Sequence, residues 1–181
     1  MLFATIAELL MVDQATGEFL LVATIRLAVG CYFARLLCAG CHVIGRVPTR
    51  SEVFVWAIGC FAYVIHVVCA FEFAHGWSHV VALDYIAIET ERVTGIRRGE
   101  GLWVNYLFTL IWIADVVRSI VAAGQNQPTN RRVDIAVQGF MAFIVFNATV
   151  VFGPAIYRWL LIPIGVAMWI AWKIRSQRLR L

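Results

Sequence analysis

The chain has 181 residues, 62% of them apolar and 14% charged, with a mean hydropathy of +0.82. A soluble domain of this size carries roughly a quarter of its residues as charges to satisfy water over its whole exterior, so this composition excludes an ordinary water-soluble fold. The net charge of +4 is scattered between apolar runs and gathers at Lys173, Arg175, Arg178 and Arg180. That pattern argues against nucleic acid as a partner and for anionic lipid headgroups.

Residues 1–12 place Leu2, Phe3, Ile6, Leu9 and Leu10 at helical spacing, which predicts a short interfacial helix. Residues 1–16 carry no basic n-region and no small-residue cleavage pattern followed by a polar mature start, so no secretory signal peptide is expected. A helical crossing needs about 20 mostly apolar residues, because the hydrocarbon layer is about 30 Å thick.

The first such run covers residues 19–44 and ends before Gly45-Arg46-Val47-Pro48. The second covers 53–74, after Ser51-Glu52 as a helix start. Residues 77–94 follow, with Val80, Leu83, Ile86 and Ala87 on one side and His79, Asp84, Glu89, Glu91 and Arg92 as its polar groups. Gly95 is a natural stop, so this segment is expected to be an amphipathic surface helix. The third run, 102–123, stops at Gly124-Gln125-Asn126-Gln127-Pro128. The fourth, 133–152, breaks at Gly153-Pro154, and the fifth, 155–172, carries Pro163 as an expected kink. The expected fold is all-α: one polytopic membrane helical bundle over residues 1–181, with five transmembrane helices and a short amphipathic surface helix.

Loop charge gives the orientation. Arg46, Arg50, Arg131, Arg132 and the four basic residues of the tail fall on one side; Arg92, Arg97 and Arg98 fall on the other, among Asp84, Glu89, Glu91 and Glu100. The basic excess belongs inside, which puts the N-terminus outside and the C-terminus in the cytoplasm of a cell membrane. Trp77, Trp103, Trp159 and Trp172 near the span ends suit interfacial anchoring.

Ionisable groups within spans are the main functional lead, because each is costly in lipid unless paired. Arg35 and Asp115 fall at one depth in the first and third spans and are expected to form a buried ion pair, with Arg118 snorkelling inward. Such a pair fixes helix register or, alternatively, belongs to a polar pathway. Toward the outer side, Glu72, His75 and His79 stand at i, i+3 and i+7 and share a face if the helix continues through Gly76. With His66 they form a candidate ligand set, since imidazole and carboxylate suit a transition metal, and imidazole suits haem. Arg26, Asn105 and Asn147 can join them in an outward polar pocket.

All five cysteines lie in apolar runs, which reads as packing rather than a disulfide framework. Cys38-Ala39-Gly40-Cys41-His42 matches the C-x-x-C-H signature of covalent haem attachment, but its position toward the cytoplasm and inside an apolar helix opposes that use. Cys31, Arg35, Cys38 and His42 instead recur as a stripe along the first helix. The Asn147-Ala148-Thr149 sequon is buried in a span. No phosphate loop, G-x-S-x-G or H-E-x-x-H is present, so the chain leans away from an enzyme. Three classes follow: a non-catalytic accessory or structural component, a metal- or haem-binding protein, and a transporter or channel. The last would need a homo-oligomer or larger complex, since five short helices seldom enclose a pathway.

Overall fold

A computed structural model describes residues 14–39 and 42–178. The expected interfacial helix at 1–12 therefore lies outside the described residues, as do Gly40 and Cys41 of the C-x-x-C-H string. The described residues form helices α1 (Gln14–Cys38), α2 (Arg50–Cys69), α3 (His79–Thr94), α4 (Gly101–Gly124), α5 (Arg131–Phe146) and α6 (Ala155–Arg178). Among them there is no strand. Five helices are long and apolar enough to cross a membrane. Two end in a wider π turn: α2 continues into Ala70–Ala74 and α5 into Asn147–Val151.

Local chemistry explains the starts. Thr49 caps α2 reciprocally with Glu52: its hydroxyl accepts from Glu52 N–H and the Glu52 carboxylate accepts from Thr49 N–H, each at 3.3 Å. The helix therefore begins at Arg50, ahead of the expected Val53. Asn130 caps α5 by accepting from Arg132 and Val133 N–H, and Ser78 caps α3 by accepting from Val81 N–H. Gly95 ends α3 at φ +75°, a left-handed conformation suited to glycine.

The first span is shorter than its composition suggests. α1 ends at Cys38, and residues 42–49 form a folded loop. Val43 and Ile44 are apolar, but the loop's polar groups bind elsewhere: Gly45 N–H donates to Asp134 Oδ2 at 2.7 Å, and Arg46 donates to the carbonyls of His42 and Val47 and to Glu52. His42 is thus not on the helical stripe of Cys31, Arg35 and Cys38. The fourth span begins two residues earlier than expected, at Arg131, and the fifth helix runs on to Arg178 through Pro163.

α1 packs along α2, α2 against α4, α4 against α5, and α3 against α4. An aromatic core fills the centre: the Trp56 and Trp112 rings lie 4.7 Å apart, and Tyr63 meets Phe108 edge-on at 4.9 Å. Gly59 makes this packing possible. A Cβ there would lie 2.8 Å from Cys31 Cβ and 3.1 Å from the Trp112 ring, so α1, α2 and α4 meet on its bare backbone. On α3 the inward residues are Ala82, Leu83, Ile86 and Ala87, while Val80 is 75% exposed, contrary to the predicted stripe. α6 is the least engaged helix: none of its most apolar stretch is buried.

Candidate functional site

Alternating helices bring residues 42–49 and 125–130 to one end of the bundle and residues 75–100 and 152–154 to the other. The first end holds a charge cluster drawn from four helices. Asp115 on α4, Asp134 on α5 and Glu52 on α2 are each at most 3% exposed, and Arg35 on α1 is 6% exposed. Arg46 and Arg118 complete it.

The contacts are reciprocal. Arg118 bridges the two aspartates, donating through Nη2 to Asp134 Oδ1 at 2.6 Å and through Nε to Asp115 Oδ1 at 3.1 Å. Asp115 Oδ2 accepts from Trp56 Nε1 at 2.9 Å, and Arg35 Nη1 lies 3.8 Å from that same oxygen. The Arg35 guanidinium also sits 4.2 Å from the centre of the Trp56 ring, an attraction between a cation and a π face. Asp134 Oδ2 accepts from the Thr129 hydroxyl at 2.5 Å, and Arg46 Nη2 meets Glu52 Oε2 at 2.5 Å. Three guanidinium groups thus face three carboxylates, so each buried charge has an opposite one beside it, while Arg35 Nη1, Arg118 Nη1 and the Ser119 hydroxyl make no hydrogen bond. Among Arg35, Glu52, Arg118, Ser119 and Asp134 the remaining space is about 10 Å³, room for about one water.

Arg35 and Asp115 are therefore neighbours, but the shorter contacts of Asp115 are to Arg118 and Trp56. Arg118 does not snorkel freely toward the membrane surface; it is held between Asp115 and Asp134. From sequence alone Glu52 is only part of a helix start, Arg46 is only a loop charge, and Asp134 is not singled out. A carboxylate within the first turn of an apolar span was the available signal.

At the opposite end the chain leaves α2 rather than continuing through Gly76. Gly76 (φ +52°) and Trp77 (φ +57°) both adopt left-handed backbone, and α3 starts afresh at His79. The shared face expected of Glu72, His75 and His79 required an unbroken helix, so it does not form. Each takes its own surroundings. Glu72 accepts from Trp77 Nε1 at 2.5 Å; His66 Nδ1 is 3.0 Å from the Leu21 carbonyl; His79 Nδ1 is 2.9 Å from the Tyr106 hydroxyl. His75 is 8% exposed and packs edge-on against Phe71, its ring 5.3 Å from that of Tyr85. Burial holds the His75 imidazole below its ordinary pKa. Among the described residues no three His, Cys, Asp or Glu side chains come together as a metal ion needs.

Of the polar groups expected to share one outward pocket, Glu72 and His79 line none of the three cavities here, and the others divide among them. His66, His75 and Asn105 line one cavity; Asn105 and Asn147 line a second. Arg26 lies in a third, between α1 and α6, where its Nε donates to the Tyr157 hydroxyl at 3.2 Å. No protein-family model, curated protein or solved structure matches this chain.

Proposed function

We propose that this multi-pass membrane protein is a non-catalytic accessory or structural component of a larger membrane assembly. The observation that carries the reading is the mutual pairing of Arg35, Arg46 and Arg118 with Glu52, Asp115 and Asp134. A route for ions needs charged groups that face a continuous space. Here the charges face each other across room for about one water, and they join α1, α2, α4, α5 and both loops. This is a clasp that holds helix register.

Also in favour is α6, whose Trp159, Ile162, Val166 and Trp169 are more than half exposed. In the membrane that face meets lipid or the helices of a partner. Under the same reading the clasp end is cytoplasmic, in a cell membrane, with the N-terminus outside. Arg50, Arg131 and Arg132 lie at the clasp end beside the paired Arg46, whereas Arg92 and Arg97 at the other end are bridged to Glu89 and Asp84.

Two measurements test it together. On mild solubilisation the protein should migrate in a complex larger than its own 20.3 kDa allows. Reconstituted in liposomes, it should give no proton or ion flux above empty vesicles. Flux that disappears in Asp115→Asn would replace this reading with a transporter.

A further inference from the structure

The end opposite the clasp has a different chemistry, which the proposed accessory role does not use. Beneath α3 lies a cavity of about 300 Å³ walled by the rings of Tyr63, Phe71, His75, Tyr85 and Tyr106. A second, of about 460 Å³, is walled largely by aliphatic and aromatic groups of α3, α4 and α5. Tyr85, Ile86 and Asn105 belong to both walls, so the two spaces adjoin. Their sizes span the lower range of small-molecule sites.

Three observations point to a ligand. His75 is more than nine-tenths buried, and its Nδ1 makes no hydrogen bond. A buried ring nitrogen without a partner is unfavourable unless something else supplies one. Second, both π turns among the described residues are at this place: Ala70–Ala74 gives Ala70, Phe71 and Ala74 to the first wall, and Asn147–Val151 gives Asn147 and Ala148 to the second. Such turns concentrate at functional sites. Third, Trp77 holds a left-handed backbone at the hinge between α2 and α3, a strain that persists only where surrounding structure enforces it.

The walls also specify the ligand. Among the described residues that line the two cavities none is Lys or Arg, so nothing there neutralises a phosphate or a carboxylate. The lone acid, Glu89, is engaged by Arg92 Nη2 at 2.7 Å, which leaves no free charge for a cation. A head that enters the first cavity is flanked by aromatic rings, which favours a flat ring. Asn105, at the junction, offers an amide N–H donor, and His75 offers a ring nitrogen. The second cavity suits an apolar tail.

We propose that these adjoining cavities bind a neutral, membrane-soluble, ring-bearing amphiphile of the quinone class, its ring carbonyls held by Asn105 and His75 and its tail lying between α4 and α5. The proposal concerns binding alone and stands apart from the accessory reading, since the clasp and this site are at opposite ends.

The test is equilibrium binding to the purified protein in lipid nanodiscs, with a short-tailed dimethoxy-methyl-benzoquinone as probe and oleate and cholesterol as competitors. The expected result is saturable binding that weakens by about tenfold or more in both Asn105→Leu and His75→Phe, about the loss of one good hydrogen bond. Arg26→Gln, in the separate cavity beside α6, should leave it unchanged, and melting curves will show that each variant is folded. Non-saturable uptake equal in wild type and folded variants would overturn the proposal. So would displacement of the quinone by oleate or cholesterol at lower concentrations than unlabelled quinone requires.

Discussion

At the end closed by residues 42–49 and 125–130, six charged side chains are buried or half-buried and matched, and the space left is about 10 Å³. At the end formed by residues 75–100 and 152–154, the buried polar groups are neutral and the spaces reach about 300 and 460 Å³. Both ends must satisfy polar atoms in a largely apolar body. The first brings opposite charges from four helices into contact and fills the volume, although Arg35 Nη1, Arg118 Nη1 and Ser119 Oγ make no hydrogen bond there. The second breaks its helices with π turns and left-handed residues, which opens volume and leaves His75 Nδ1 without an intramolecular partner. Rigidity and capacity for a ligand are thus separated along the bundle axis.

The largest effect expected from breaking this contrast is at the clasp. Asp115→Ala strands Arg35 beside Trp56 and leaves Arg118 with Asp134 alone, and it should lower unfolding stability in detergent by about 3–5 kcal/mol, read from thermal melting. Midway along the bundle, Gly59→Val should cost about 1–3 kcal/mol, because the added carbons meet Cys31 and Trp112 where α1, α2 and α4 converge. Thr49→Ala removes the α2 cap next to the clasp and should cost about 1 kcal/mol by the same measurement.

At the neutral end the effects shrink and become pH-dependent. The folded state favours uncharged His75, so its contribution is complete above the unfolded value of about 6.5 and declines as pH falls below it. Melting should therefore drop more between neutral and mildly acidic buffer in wild type than in His75→Phe. Arg97→Ala, whose side chain is about half exposed beside Asp84 and Glu91, should leave the melting temperature unchanged.

Much of the scaffold was legible because lipid imposes a simple length rule, and runs of about 20 apolar residues satisfy it. The boundaries were less legible where apolar residues serve a loop. Val43 and Ile44 continue the hydrophobic run of α1, yet the backbone there turns so that Gly45 can reach Asp134, 89 positions away. Helical depth placed Arg35 and Asp115 at one level, but depth alone could not reveal Asp134, which arrives from α5 and shares Arg118 with Asp115. The His66, Glu72, His75 and His79 grouping depended on an unbroken helix at Gly76, and backbone geometry at that residue decided against it. Asn105 and Asn147 were legible as polar groups within apolar spans; that they border cavities depends on how α3 folds down on α4.

The clasp is tested most directly by a double-mutant cycle on its central contact, Arg118 with Asp134, using Arg118→Met, Asp134→Leu and the double variant melted in one detergent. Arg118→Met leaves Asp134 buried without its cation and should be destabilised by several kcal/mol; Asp134→Leu, after which Arg118 keeps Asp115, should lose less; and the double should be no less stable than Arg118→Met. Losses that simply add in the double variant would mean that the two residues act independently, and the clasp would have to be abandoned.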